Sequence, residues 1–483
     1  MAPHTHDGAS CTGAARKGQK IVVTRFKEFF RCLLWLALAI AIHPCMSLRA
    51  QEVASFADPQ IKAALREISA GQIQSDIQKL VSFQTRSTIS AQDGASISAG
   101  HGIGAAREWL KSEFERYSRD CGGCLEVKTD TFTQPVSERI PAPVGITDVF
   151  AVLKGTNAED AKRIVLVTGH YDSRISDPLD KTGFAPGAND DASGTAVSLE
   201  CARVLSKLKF PGTIIFLTVA GEEQGLYGSK HFAEIAKAQG WDIQAVLNND
   251  IVGGDQSPGQ DAKVVRVFSE SIPDNPSEQH LRAIRALGGE NDSPSRELAR
   301  YITQTARTYW VEVAPLPEFR RDRYLRGGDH ISFNAQGFAA VRFTEFQENF
   351  NHQHQNVRTE NGIEYGDLPK FVNFDYVANV ARLNAATLAS LAAAPAAPQN
   401  VRLETKGLTN DSTLVWDAPA DGRAVGYEVL WRATAAPDWE HVQLVVKAVK
   451  ATIPVSKDNV IFAVQTVDDA SHRSLPIVPV PER

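Results

Sequence analysis

The sequence predicts an α/β protein, a three-layer sandwich around a mostly parallel central sheet, with an all-β sandwich at its C-terminal end. Two observations point to the first part. From Cys124 to Ala393 short apolar strands alternate with helices, the pattern of repeated βαβ units. Polar clusters close several of those strands, at the edge where open sheets of this class bind ligands. The third observation is a change of period. Beyond an Ala/Pro-rich linker at 394–398 every segment reads as a short strand, as in a β-sandwich.

Residues 1–50 read as a signal peptide. Arg16, Lys17, Lys20, Arg25, Lys27 and Arg31 precede the apolar run Leu33 to Ile42, and Pro44, Ser47 and Ala50 follow it. That run is too short to span a bilayer, which takes about 20 residues, and Ala50 suits a cleavage site. An uncleaved N-terminal anchor is the competing reading. The segment holds seven Lys/Arg and two Asp/Glu, so its removal takes the formal charge from −6 to −11. The expectation is an exported protein, periplasmic or extracellular, too acidic to favour nucleic acid or anionic lipid.

Three cysteines, Cys11, Cys32 and Cys45, leave with that segment. Cys121 and Cys124 form Cys-Gly-Gly-Cys, which in an exported chain predicts a local disulfide. Cys201 falls on the apolar face of a helix and predicts a buried free thiol.

Residues 51–123 form a helical N-terminal part. Ile61, Leu65 and Ile68 recur at helical spacing, as do Ile73, Ile77, Leu80 and Val81, and later Trp109, Leu110 and Phe114. No metal-ligand pattern occurs there, so it reads as packing and as a cover. The core, 124–393, predicts strands at Val127–Phe132, Asp148–Leu153, Arg163–Thr168, Thr213–Val219, Ala245–Asn248, Val311–Ala314 and Ala339–Phe343. Helices are predicted at Ala192–Leu208, Gly228–Gln239, Pro294–Thr308 and Tyr376–Ala393. In residues 399–483, Tyr427, Val429 and Trp431 alternate along one strand and so share a face. This part resembles a fibronectin type III domain, through Pro398-Gln399-Asn400-Val401, Trp416 and Tyr427, with Phe462 where that family has Tyr. The resemblance leaves open a spacer role or a surface or polymer contact.

Four clusters carry candidate chemistry. Gly169-His170-Tyr171-Asp172-Ser173 follows one strand, Ala220-Gly221-Glu222-Glu223 another, and Asn248-Asn249-Asp250 closes a third. Gly187-Ala188-Asn189-Asp190-Asp191-Ala192-Ser193-Gly194 opens a helix. An exposed His170 with Asp172 two residues on suits a metal ligand oriented by a carboxylate. Adjacent glutamates in an extended segment diverge, so one can bind metal while the other handles protons. An isolated Glu pair at a helix start is by default a solvated pair; the company of His170, Asp190 and Asp250 changes that. A last ligand should come from His330, His352 or His354. Mixed His and carboxylate ligation suits zinc, with manganese or cobalt as alternatives.

Together "GHYDS", "GANDDASG", "GEEQGLYGS", "NND" and "GGDHISF…FNHQH" resemble the secreted dinuclear zinc aminopeptidases of bacteria, a family with relatives among glutamate carboxypeptidases and glutaminyl cyclases. The resemblance covers roughly residues 60–390. It implies two Zn2+ per chain, bridged by Asp190. His170 and Asp250 complete one site, Glu223 and His354 the other. Glu222 is then the general base, Asp172 orients His170, and Asp191 caps the following helix. The family pattern has His-Thr and then Asp, whereas His354 precedes Gln355-Asn356-Val357-Arg358. Alignment of the Gln-His pair selects His354 over His352, and Asp329-His330 matches a structural feature of the fold. The implied reaction is hydrolysis at the N-termini of peptides or proteins. Glutaminyl cyclase, carboxypeptidase and a binding protein with a vestigial hydrolase are the alternatives.

Overall fold

The computed structural model describes residues 56–482. The signal segment expected at 1–50 lies outside them. Helices α1 (Pro59–Leu65), α2 (Ala70–Ser82), α3 (Gly94–Ser98) and α4 (Gly102–Asp120) come first. The α/β core follows as β1 (Leu125–Gln134), β2 (Val144–Leu153), β3 (Arg163–His170), α5 (Ala192–Leu205), β4 (Thr213–Val219), α6 (Glu222–Gly225), α7 (Tyr227–Ala238) and β5 (Asp242–Asn249). It continues through β6 (Val264–Ser269), α8 (Glu278–Leu287), α9 (Pro294–Tyr309), β7 (Ala314–Glu318), α10 (His330–Ala335), β8 (Ala340–Glu345), β9 (Arg358–Glu360), β10 (Ile363–Tyr365) and α11 (Phe374–Ala393).

Eight strands form one sheet in the order β1-β2-β4-β3-β5-β8-β6-β7. The central run β4-β3-β5-β8 is parallel throughout. The pairings β1–β2, β2–β4 and β8–β6 are antiparallel and the edge pair β6–β7 is parallel, so the sheet is mostly parallel. Burial explains the division. Every residue of β4 is buried, as expected of a strand covered on both faces, whereas β1 beyond its buried first residue, Leu125, is exposed or half-buried throughout. Helix α11 is buried over most of its length. Its alanines let it lie close to α1, α2, α5, α9 and β3.

The strand expected at Val311–Ala314 is displaced. Trp310 ends α9 in the left-handed region and the Val311 N–H closes the helix on Ala306 O, so β7 starts only at Ala314. Strand β6 and helix α8 were not expected; Arg266 breaks the apolar run of β6 and bonds Glu345 O. Cys121 and Cys124 are disulfide-bonded, and Cys201 is a buried free thiol.

Residues 399–482 build two small sheets. Strands β11 (Gln399–Glu404), β12 (Ser412–Asp417), β15 (Lys450–Ile453) and β17 (Val480–Glu482) form one, and β13 (Gly426–Ala433), β14 (His441–Val446) and β16 (Val460–Val467) the other. They enclose Trp416, Tyr427, Val429 and Phe462. This sandwich is docked on the α/β core. Arg423 donates to Ala393 O, Ala394 O and Asp160 as well as to Asp468, and Trp439 Nε1 donates to Glu297 at 3.0 Å.

Candidate metal centre

The parallel strands bring the candidate ligands to one edge. His170 is the last residue of β3 and Asp250 directly follows β5. Glu222 and Glu223 open α6 after β4, and His354 lies in the loop after β8. The glutamates therefore stand in the first turn of a short helix, not in an extended segment. Successive helical side chains also diverge, by about 100° at 3.6 residues per turn, so the two can still serve different ends.

Asp190 and Asp191 differ in what they hold. Asp191 caps α5, accepting the Gly194 N–H at 3.0 Å. It also accepts the His170 N–H at 3.0 Å and the Ile251 N–H at 3.2 Å, which ties the start of α5 to the ends of β3 and β5. Glycine makes that approach possible. A Cβ on Gly194 would stand 2.1 Å from Asn249 O, and one on Gly169 2.3 Å from Gly194 C. Asp190 is left free to face the cleft.

Its carboxylate looks both ways. Oδ1 lies 3.2 Å from His170 Nε2 and Oδ2 lies 2.8 Å from His354 Nε2. On the first side Asp250 Oδ1 is 3.9 Å from His170 Nε2. On the second, Glu223 Oε2 is 3.1 Å from His354 Nε2. Ligand atoms ~2.1 Å from a tetrahedral zinc stand ~3.4 Å apart; the Asp190, His354 and Glu223 atoms and the Asp190–His170 pair lie near that spacing, and Asp250 is wider at 3.9 Å. Moreover, His170 Nε2 and Glu223 Oε1 are buried without a hydrogen-bond partner, a costly state unless something else satisfies them. Ligand atoms of Glu222, His170 and Asp250 also fall within 4.8 Å of one another.

Electrostatics separate the roles. Burial would lower the His170 imidazole, but Glu222, Asp172 and Asp190 outweigh it and raise it well above its ordinary range. For His354 burial is likewise outweighed by Glu223 and Asp190, which lift it to about 10. The Asp190 carboxyl is held well below the usual range, because His354 and His170 overcome the upward push of burial. Glu222 goes the other way. Burial, reinforced by Asp250 and Glu223 against His170, raises it well above the usual carboxylate range.

Asp172 Oδ1 stands 3.3 Å from His170 Nδ1, and its Oδ2 accepts Thr88 Oγ1–H at 2.8 Å and the Glu223 N–H at 3.2 Å. His170 itself is 1% exposed, not exposed as expected. His330 is buried with Nε2 at 2.8 Å from Arg321 O, and burial pulls it down to about 4. It stands apart from both ligand groups.

Sequence reasoning missed several supports. Asp367 accepts the Asn189 N–H at 2.8 Å and the Asp190 N–H at 2.7 Å. It lies thirteen residues after His354, beyond Gln355-Asn356-Val357-Arg358. Gln353 Nε2 donates to Asp190 Oδ2 at 3.2 Å, and Arg342, fully buried, lies 2.9 Å from Asp250 Oδ1. Arg174 Nε donates to Glu223 Oε2 at 2.9 Å. Arg86 and Thr88, in the N-terminal part that reads as packing and a cover, pass against the site, Thr88 through its bond to Asp172.

A mixed His and carboxylate cup at the carboxyl edge of a parallel sheet marks the class of metal-dependent hydrolases. The model of Peptidase family M28 matches residues 148–373. A Leptosphaeria maculans protein named "Probable zinc metalloprotease" is 45% identical over 427 residues, 88% of this chain and 97% of its own. A Pyrenophora teres protein of the same name is 45% identical over 429 residues, 88% of this chain and 87% of its own. The chain belongs to peptidase family M28 and is a zinc metallopeptidase. Among solved structures, the Legionella pneumophila LapA aminopeptidase is 22% identical, with 69% of this chain and 74% of that chain covered and a TM-score of 0.48.

Proposed function

We propose that this protein is an exported aminopeptidase that uses two zinc ions and a glutamate base. The observation that carries the reading is the Asp190 carboxylate, with one oxygen toward the His170 group and the other toward the His354 group. A cyclase of the same fold needs one cation; a shared carboxylate between two ligand groups supports two. Zinc held there supplies Lewis-acid chemistry, polarising a carbonyl and lowering the pKa of water.

The chain's own residues do the rest. Asp172 fixes the His170 ring so that Nε2 faces the cleft. Glu222 takes the proton of the attacking water and delivers it to the leaving amine.

Carboxypeptidase action is the second reading, favoured by the Arg174 guanidinium, whose Nη2 is 2.6 Å from His354 Nδ1. A cation at that place could receive a substrate carboxylate. Hydrolysis of aminoacyl-anilides beside N-blocked peptides, with and without chelator, separates the two. Chelator-sensitive cleavage of the anilides alone supports aminopeptidase action; cleavage of N-blocked peptides alone sinks it. The Cys121–Cys124 disulfide supports export. N-terminal sequencing of protein secreted by a producing cell should begin near Gln51; a retained residue 1 in the cell fraction would refute export.

A further inference from the structure

Arg86 is fully buried, and its guanidinium is held by main-chain carbonyls from two separate loops. Nε donates to Tyr171 O at 2.7 Å, Nη1 to Pro186 O at 2.7 Å and Nη2 to Gly187 O at 2.8 Å. Tyr171 lies between His170 and Asp172, while Pro186 and Gly187 lead directly into Asp190. The main chain of the same segment laces the same loops. Ser173 N–H donates to Arg86 O at 3.2 Å, and Ala185 N–H to Gln84 O at 2.9 Å. Ser173 Oγ accepts the Arg86 N–H at 3.2 Å and donates to Ala185 O at 2.8 Å. The fit around the guanidinium is close. Gly187 has φ +48, and a Cβ on it would stand 2.9 Å from Arg86 Nη2 and 2.5 Å from Ser173 Cβ.

Burying a guanidinium is costly, and a residue that serves packing alone is normally apolar or ion-paired. The chemistry particular to arginine is a planar fork of donors with fixed angles. Here that fork joins the turn carrying His170 to the loop carrying Asp190.

We propose that Arg86 is a positioning residue of the metal centre, locking these two loops so that His170 Nε2 and Asp190 Oδ1 stand at cation-binding separation. The proposal rests on the two-zinc reading above. A lysine would keep the charge but lose the fork, so charge and geometry can be separated. Second-sphere supports of this kind typically change metal affinity about 10–100-fold.

The test is zinc competition against a chromogenic chelator, with circular dichroism and thermal unfolding of the metal-free proteins, for wild type, Arg86→Lys, Arg86→Ala and the remote control Arg203→Lys. Arg86→Lys should fold as wild type does and bind zinc about 10–100-fold more weakly. Millimolar guanidinium ion should restore part of the affinity of Arg86→Ala, and ammonium ion should not. Arg203→Lys should bind as wild type. Should the Arg86 variants fail to fold, Ser173→Ala removes part of the same lacing without disturbing the buried charge, and weaker zinc binding is expected from it. Unchanged affinity in folded Arg86→Lys, or in Ser173→Ala when the Arg86 variants do not fold, overturns the proposal. Wild-type protein that takes up no zinc overturns the metal-centre reading instead.

Discussion

His352 lies flat on Phe371, ring centroids 3.7 Å apart, with Nδ1 turned to Asp255. Two residues further on, His354 stands in the left-handed region at φ 56 and points at Asp190 and Glu223. The backbone turn between them sends the two rings to different places. His354→Ala should therefore lower bound zinc, whereas His352→Ala should keep the zinc and lose stability, about 1 kcal/mol from stacking and more from the buried Asp255 carboxylate left without its partner. Elemental analysis and thermal unfolding of the two variants check this; zinc loss confined to His352→Ala would exchange the assignments.

Glu222 touches no cation in the proposed scheme. Glu222→Gln should bind zinc as wild type does and lose about 10²–10⁴-fold in kcat. Steady-state kinetics on an aminoacyl-anilide, at matched zinc content, decide it. Turnover near that of wild type would remove Glu222 from the reaction.

Asp190→Asn keeps the main-chain bonds to Asp367 and should keep the fold. An amide offers one oxygen where the carboxylate offers two, so at least one cation should be lost. A folded Asp190→Asn protein with its full zinc content would refute bridging.

Asp76 gives a pH prediction away from the metal centre. Burial, with Glu113 and Glu200 adding and the Gln72 bond opposing, lifts its carboxyl from 3.8 to about 8. The folded protein thus holds a proton that the unfolded chain releases near 3.8, and stability falls as pH rises between about 4 and about 8. Asp76→Asn should unfold in urea much as wild type does near the acid end of that window and be the more stable of the two above it. Parallel pH profiles for both proteins would show that Asp76 does not titrate this way.

The candidate ligands were legible because His170, Glu223 and Asp250 sit where an apolar strand stops and Asp190 where an apolar helix starts, and both boundaries are marked by an abrupt change of residue type. His170, Asp190, Glu223 and Asp250 needed no knowledge of the turns between them. Placing them relative to one another does need it: the sequence predicts an extended Glu222–Glu223 segment, whereas Gly221, at φ 81, starts a helical turn there. The mostly parallel sheet was legible, but which of its pairings run antiparallel was not: β1 and β2 look like other strands, and direction is set by the chain reversal between them. Arg86 left no mark. Its partners are carbonyls 85 to 101 residues away, and a carbonyl carries no sequence signature.

Zinc per chain in fully active, dialysed protein tests the shared carboxylate most directly. Elemental analysis should return two zinc ions per chain, with activity lost on chelation and regained as both are restored. Full activity with a single ion bound would contradict the bridging role of Asp190.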